Sequence, residues 1–397
     1  MKFLIISILL LFIENCTLLF PKKEKTNDDL LLVLGIIANS GYRWNLPVGF
    51  PTPTVPAENP MSQAKVDLGR ILFYDKTLSQ DRTLACAGCH KQELAFTDGR
   101  AFGVGITGVA HPRGAQNLGN VAYHPRLTWA NPLLKNLELQ ARAPMFGENP
   151  IELGLSNNEY LDRINADSRY QSLFSAAFGG GGISEQNVRF ALASFQRSLL
   201  TGNAPADRYT LQGDTSALNA SQIRGFRVFN GETAECFHCH GGFNYTDTSF
   251  HDKSTSQDIF YHSNGIKTKA EYDALPSNKQ GLFDVTQDIA DQGKFRAPSL
   301  RNIGLTYPYM HDGSFMCDDS ANPSITSGKT IRDCAVNALL KVVAHYESGG
   351  KSHPAKDTTL IRPFTLTSQE RTDLVEFLLS LTDSDFINNS SQSDPFK

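Results

Sequence analysis

Two short segments of the chain carry cysteine and histidine at a spacing suited to haem attachment. CAGCH at 86–90 and CFHCH at 236–240 both follow the pattern C-x-x-C-H, in which both thiols add to the vinyl groups of a haem and the histidine reaches the iron. A zinc site would need a second pair of ligands at comparable spacing, and a thioredoxin-like dithiol would need a βαβ setting that is missing here. His238 occupies the variable spacer of the second motif and is interpreted as a bystander. Two covalent c-type haems are therefore predicted, with His90 and His240 as proximal iron ligands and with four thioether cysteines, Cys86, Cys89, Cys236 and Cys239.

The N-terminal segment predicts export, and export bears on the three remaining cysteines. The sequence begins MKFLIISILLLFIENC, a lysine followed by a short apolar run, which is the layout of a secretory signal. Cys16 follows a segment similar to a relaxed bacterial lipobox, so we expect a signal over 1–16, a lipid anchor on Cys16 and a tether over 17–44; an ordinary signal peptide with an incidental cysteine is the alternative. In an oxidising compartment Cys317 and Cys334 are predicted to form a disulfide, with two free thiols as the alternative.

Composition and an internal repeat predict the fold. The chain has 397 residues, 40% of them hydrophobic, and a formal net charge of −4, which argues against nucleic-acid binding. LGRILFYDKTLSQDRTLACAGCH and RGFRVFNGETAECFHCH share a glycine and a phenylalanine ahead of the haem motif, aligning Gly69 with Gly225 and Phe73 with Phe229. The prediction is an all-α chain of two cytochrome c-like domains with an interface between them, at 45–205 and 206–389, followed by a tail at 390–397.

Two further segments predict helices that accompany the haem motifs. SEQNVRFALASFQRSLLTG starts at an expected Ser184 cap and has apolar residues at helical spacing, Val188, Leu192 and Phe195. TSQE at 367–370 has the pattern of a capping box. The residues after it that are expected to share one helix face are Leu374, Leu378 and Leu381.

The order of the motifs resembles the bacterial di-haem cytochrome c peroxidase superfamily, which includes MauG. LGRILFYDKTLS precedes the first haem motif, AFTDGR and NPIELG follow it, and APSLRNI and PYMHDGS follow the second, so that the resemblance covers about 45–385. The stretches YRWNLPVGFPTPTVPAENPMS, AHPRGAQNLGNVAYHPRLTWANPLL and ECFHCHGGFN are most similar to the MbnH branch, close to MauG.

The resemblance implies an enzyme of the periplasm. An MbnH-like enzyme uses hydrogen peroxide to form high-valent haem iron and oxidises a tryptophan of an exported partner, MbnP, to kynurenine at its copper site. The alternative is a conventional cytochrome c peroxidase that reduces hydrogen peroxide with electrons from a small cytochrome c or cupredoxin. A di-haem electron carrier without enzymatic activity is a third interpretation, against which the NPIELG segment argues.

The resemblance also implies a set of catalytic residues around the first haem. The N-P-x-E motif of the family stands here as Asn149-Pro150-Ile151-Glu152, which makes Glu152 the acid/base candidate. Gln140 and Pro144 match residues that line the same pocket, and Trp129 matches an aromatic charge relay between the haems.

The sixth iron ligands distinguish the branches of the family. AHPRGA fits the MbnH pattern, so His111 is interpreted as structural and the first haem as open; His124 is another histidine of this neighbourhood. At the second haem Tyr346 matches the tyrosine ligand of MauG, with Met310 as a competing ligand and His345 adjacent. Tyrosinate would lower the haem potential relative to methionine.

Two further groups come from the resemblance. Arg301 in SLRN is expected to pair with a haem propionate, because a guanidinium binds carboxylates bidentately. The family often holds calcium between its domains through backbone carbonyls, whose positions are not apparent in a sequence.

Overall fold

The computed structural model describes residues 41–257, 259–317 and 330–397. The expected signal peptide, Cys16 and the tether as far as residue 40 lie outside these residues. Residues Trp44–Lys397 form one compact unit. Within the described ranges the regular structure is helical, with isolated β-bridges and no extended strand, which confirms the all-α fold class. No helix among these residues is both long and apolar enough to cross a membrane.

The α-helices are numbered in chain order, and several are a single turn. Their bounds are α1 Gln63–Tyr74, α2 Cys86–Cys89, α3 Leu137–Gln140, α4 Arg142–Phe146, α5 Glu159–Ala166, α6 Ser168–Phe178, α7 Glu185–Arg197, α8 Pro205–Leu211, α9 Ala220–Phe229, α10 Phe237–His240, α11 Lys269–Asp273, α12 Phe283–Thr286, α13 Ile331–Glu347, α14 Ser368–Leu379 and α15 Ser384–Ile387. Short 3₁₀ helices lie at Lys76–Leu78, Gln92–Leu94, Val121–Tyr123, Gly179–Gly181, Ser277–Lys279, Ile289–Asp291, Ile303–Leu305 and Ser390–Gln392.

Helices α1 and α7 form the framework of the first lobe, the part of the chain that carries the first haem motif. The two helices meet at Gly69, where an added Cβ would overlap the backbone oxygen of Ala191. Beyond this crossing the fully buried rings of Phe73 and Phe195 pack with centroids 5.1 Å apart. The predicted cap of α7 is present, since the Ser184 hydroxyl accepts a hydrogen bond from the helix backbone.

Helices α9 and α14 repeat this arrangement in the second lobe, which carries the second haem motif. They meet at Gly225, where an added Cβ would overlap the backbone oxygen of Asp373. The rings of Phe229 and Phe377 lie 5.2 Å apart. The capping box that opens α14 at Thr367 is also present. The aligned glycines and phenylalanines thus perform the same packing role in both lobes, as the repeat predicts, while the boundary between the two domains remains a prediction.

Most of the other apolar residues predicted to be internal are buried. Val188 and Leu192 of α7 and Leu374 and Leu378 of α14 lie in the core. Leu381 is also fully buried, although α14 ends two residues before it. A helix face is a local property of the sequence, so its burial follows from the apolar spacing.

Helix α13 is tied to the preceding chain by a disulfide. Cys317 and Cys334 are bonded, which confirms the predicted pairing. Cys334 is fully buried in the first turn of α13, and Tyr346 lies in the last turn of the same helix. The disulfide therefore joins the segment that carries Cys317 to the helix that carries Tyr346, a candidate iron ligand.

Candidate active site at two haem-attachment cavities

Each C-x-x-C-H motif forms one short helical turn at the edge of a cavity. The first cavity is bordered by Cys86, Cys89 and His90, and the second by the corresponding residues of the second motif. None of these four cysteines is in a disulfide, so all four sulfurs are available for thioether bonds. Two such cysteines and one imidazole at each cavity are the set of residues that a c-type haem requires.

Both proximal histidines are held in the same way. His90 Nδ1 lies 2.7 Å from the backbone oxygen of Phe96, and His240 Nδ1 lies 3.3 Å from that of Tyr245. Phe96 and Tyr245 both adopt positive φ, 62° and 49°, so the same local turn occurs after both motifs. An imidazole that donates through Nδ1 to a carbonyl keeps Nε2 for a metal. Burial lowers the pKa of both imidazoles and so favours the neutral form that binds iron.

The catalytic residues implied for the first haem converge on the first cavity. Gln140, Pro144 and Glu152 all border it. Backbone hydrogen bonds set their positions: the Leu153 N–H donates to the Pro144 oxygen, and the Ile106 N–H donates to the Glu152 oxygen, both over 2.9 Å. The Glu152 carboxyl is 40% exposed, and burial of the remainder raises its pKa to about 7. A carboxyl with this pKa can both accept and donate a proton near neutral pH.

His111, which the sequence predicts to be structural, also borders the first cavity. Its Nδ1 lies 3.5 Å from Glu152 Oε1. The side chain is 15% exposed, and burial lowers the pKa of its imidazole. His124 lies elsewhere, because it borders the second cavity and faces Arg296.

Trp129 lies between the two cavities. It borders both of them, together with the neighbouring backbone at Gly114, Ala115 and Gln116. Its indole N–H donates to the Gly114 oxygen over 3.0 Å, which holds the ring in place. The position is suitable for a relay, as the resemblance implies.

Both candidate sixth ligands border the second cavity. Asn264 Nδ2 donates to the Tyr346 hydroxyl over 3.1 Å and lies 3.5 Å from the sulfur of Met310. Burial raises the pKa of Tyr346 to about 12, and the bond from Asn264 lowers it in part. A bound iron ion would favour the phenolate, because a metal reverses the effect of burial on its ligands. His345 does not border this cavity, and its Nε2 lies 2.9 Å from the Asn264 oxygen.

The structure does not support the propionate role expected for Arg301. This side chain is 1% exposed and pairs bidentately with Asp207, over 2.8 and 2.9 Å, and it borders neither cavity. The chain's own carboxylate therefore occupies the guanidinium face that a propionate would need. Arg296, five residues earlier, is a buried guanidinium that does border the second cavity, where burial lowers its pKa to about 10.

Two polar residues of the second cavity were missed from the sequence. Asn264 is a single amide in a loop with no motif around it, so no local signal identifies it. Arg296 immediately precedes the APSL segment, and nothing in the neighbouring sequence distinguishes it from Arg301. Only the fold decides which of two arginines in one segment meets a cavity.

Comparisons with known proteins agree with this geometry. Residues 63–216 match the family model described as di-haem cytochrome c peroxidase. The chain is 35% identical over 327 residues to the methylamine utilization protein MauG of Methylorubrum extorquens, covering 82% of this chain and 80% of the relative. It is 31% identical to the cytochrome c peroxidase IdrP1 of Pseudomonas sp. strain SCT, covering 84% of both chains. A solved MauG-like protein associated with microbial copper homeostasis is similar with a TM-score of 0.80 and 40% identity, over 90% of this chain and 100% of that one.

Proposed function

Because the chain belongs to the di-haem cytochrome c peroxidase and MauG family, we propose that it uses hydrogen peroxide to oxidise a side chain of an exported protein partner. The specific reaction proposed is MbnH-like oxidation of a tryptophan. Oxidoreductase activity and two c-type haems are properties of the family. The identity of the oxidised residue and of the partner is the proposal.

One observation supports this reaction more than any other. Glu152 borders the first cavity, Tyr346 borders the second, and Trp129 borders both. In the proposal these three residues act in series, Glu152 as the proton-transfer group, Trp129 as the charge relay and Tyr346 as the anionic ligand. A tyrosinate ligand stabilises an oxidised iron, whereas methionine raises the potential and favours the reduced one.

The likeness to the solved MauG-like structure supports a copper-binding partner. That protein is described as associated with microbial copper homeostasis, and it aligns over its whole length with this chain. We infer a partner that is exported, binds copper and exposes a tryptophan near the metal.

The haems, when bound, supply redox-active iron that reacts with hydrogen peroxide and exchanges electrons with the partner. The chain's own residues then have three tasks. The Glu152 carboxyl moves protons at peroxide, Trp129 links the two cavities, and Asn264 orients the Tyr346 hydroxyl through its 3.1 Å hydrogen bond. Each peroxide takes up two electrons from the partner and two protons, and leaves as two water molecules.

The test uses the fully oxidised protein with both haems attached. Equimolar hydrogen peroxide is added while optical and EPR spectra are recorded, and an exported copper-binding protein is then added and analysed by mass spectrometry. We expect the EPR signals of both haems to disappear without prior reduction, followed by oxidation of one tryptophan of the partner. A Trp→Phe variant of the partner is the matched control and should keep its mass.

A different result would favour the conventional peroxidase. If peroxide reacted only after one electron had been added, and if a small cytochrome c or cupredoxin were then oxidised, the proposal would be wrong. The similarity to cytochrome c peroxidases such as IdrP1 makes this the second candidate.

Two further features belong to the proposal. A periplasmic location is typical of the family, and we propose that a lipid on Cys16 anchors the protein to the membrane. Labelling with a radioactive fatty acid, with Cys16→Ser as control, tests this proposal.

We also propose a calcium ion between the domains, held by backbone carbonyls. Among the described side chains, those close enough to share a metal are Cys239, Asp247 and His262, and Cys239 belongs to a haem motif, so this group is not the calcium site.

A further inference from the structure

The side chains of His111 and Glu152 meet at the edge of the first cavity. His111 Nδ1 lies 3.5 Å from Glu152 Oε1, and both residues border the cavity that His90 also borders. The sequence places these residues 41 positions apart in unrelated motifs. Their proximity is therefore a property of the fold.

The backbone keeps the two side chains together. The loop that carries His111 is bonded to the segment that carries Glu152, because the Ile106 N–H donates to the Glu152 oxygen over 2.9 Å. In the same loop Gly105 packs directly on Ile151, so closely that an added Cβ would overlap the Ile151 carbonyl. Main-chain contacts thus hold the two segments at a fixed distance, and this distance keeps the imidazole close to the carboxyl.

The second ring nitrogen of His111 lacks a partner. Nε2 is buried and makes no hydrogen bond within the part of the chain that the structure describes. The nitrogen that faces Glu152 is Nδ1, so this is the atom through which the imidazole can exchange a proton with the carboxyl.

Burial shifts the pKa values of the two groups in opposite directions. It lowers the pKa of the His111 imidazole and raises that of the Glu152 carboxyl to about 7. A neutral imidazole can accept a proton, and a carboxyl with this pKa can both accept and donate one near neutral pH, so a proton can pass between the two groups.

We propose that His111 and Glu152 act together as one acid–base pair for hydrogen peroxide, with His111 Nδ1 as the second proton-carrying atom beside the Glu152 carboxyl. This inference rests on the proposed function for its oxidant and its electrons. The pair takes one proton from one peroxide oxygen and returns one proton to the other, which leaves as water when the O–O bond breaks, so the proton content of the pair is unchanged. The oxygen that remains leaves as a second water after it has gained two protons, and the partner side chain supplies the two electrons that the bond cleavage consumes.

The experiment measures the rate of the peroxide reaction in the oxidised protein with both haems attached. Stopped-flow spectra of the wild type are compared with those of His111→Gln, His111→Leu, Glu152→Gln and the double variant His111→Gln/Glu152→Gln. We expect each single variant to react about 100-fold slower or more. The double variant should be no slower than the slower single variant, because groups that act as one pair are not additive.

The matched control is His353→Gln, since His353 is a buried histidine that borders neither cavity. It should react at the wild-type rate. EPR spectra of the resting proteins are recorded as a second measurement, and we expect the first haem to be high-spin in the wild type and in both His111 variants.

Two outcomes would overturn the inference. A wild-type rate in both His111 variants would show that His111 carries no proton. A low-spin first haem in the wild type that becomes high-spin and reacts faster in His111→Gln would show that His111 is a blocking iron ligand instead. Neither outcome depends on the partner, whereas the proposed function fails if peroxide reacts normally and no partner tryptophan is oxidised.

Discussion

At the scale of single residues, the expected chemistry of each cavity depends on the protonation state of one side chain, Glu152 in the first cavity and Tyr346 in the second. Burial raises the pKa of both side chains, that of Glu152 to about 7 and that of Tyr346 to about 12. The first value lies within the physiological range, so it makes a proton available. The second lies far above it, so the phenolate form depends on bound iron.

Glu152 is expected to give the peroxide reaction a pH dependence. Its pKa is raised, so the carboxyl is protonated below pH 7 and ionised above it, and a group that accepts the first peroxide proton must be ionised. The rate should therefore rise as the pH increases through about 7. In Glu152→Gln the reaction should be slower by about 100-fold or more and should lose this midpoint. A midpoint that persisted in Glu152→Gln would assign the titration to another group.

Tyr346 is expected to determine the spectrum of the second haem. Its hydroxyl borders the second cavity and accepts a hydrogen bond from Asn264. Tyr346→Phe should remove an anionic ligand, change the low-spin EPR signal and raise the reduction potential of the second haem, as measured by redox titration. Met310→Leu is the matched control, and it should leave both quantities unchanged. If Met310→Leu changed the signal and Tyr346→Phe did not, methionine would be the ligand.

At the scale of helices, the two lobes depend on one crossing each. In both lobes a glycine lets the helix before the haem motif approach a second helix at backbone distance, Gly69 on α7 and Gly225 on α14. The phenylalanine four residues later then packs between the helices. In the first lobe the same Phe73 ring also contacts Phe96, whose carbonyl faces the proximal histidine. The crossing thus helps to position His90, the predicted iron ligand.

A methyl group at either crossing should destabilise its lobe. Gly69→Ala and Gly225→Ala each place a Cβ on a backbone oxygen, so the helices must separate. We expect a loss of about 1–3 kcal/mol in the free energy of unfolding, measured by thermal or denaturant unfolding of the holoprotein. Gly180→Ala is the control, because no atom lies within 4 Å of the added group. Equal stability of all three variants would show that the crossings have room to adjust.

At the scale of the whole molecule, Trp129 is the residue that we propose as the link between the two cavities. It borders both, and its indole is fixed by a hydrogen bond to Gly114. The buried rings of Tyr272 and Phe295 pack around it. A rigid aromatic ring between two redox centres is suitable for carrying charge, and a smaller side chain would leave a gap.

Replacement of Trp129 should separate the reactions of the two haems. In Trp129→Phe and Trp129→Ala the first haem should still react with peroxide, while oxidation of the second should be slower, most of all in the alanine variant. Stopped-flow spectra and freeze-quench EPR distinguish the two haems. Trp44→Phe is the control, since Trp44 borders neither cavity. Simultaneous oxidation of both haems in Trp129→Ala would show that charge passes by another route.

The features that the sequence determined are those carried by short segments. The haem motifs, the caps of α7 and α14 and the repeated glycine and phenylalanine are local patterns, because helix formation and covalent attachment depend on neighbouring residues. The disulfide was also correctly predicted, because the other two pairs of cysteines belonged to the motifs.

Only the tertiary structure decided which distant side chains meet. His111 faces Glu152, and Arg301 is taken up by Asp207 while Arg296 borders the second cavity. These contacts join segments 41 to 94 residues apart. These contacts depend on the paths of loops. Backbone hydrogen bonds and close packing set those paths, and neither kind of interaction leaves a periodic pattern in the sequence.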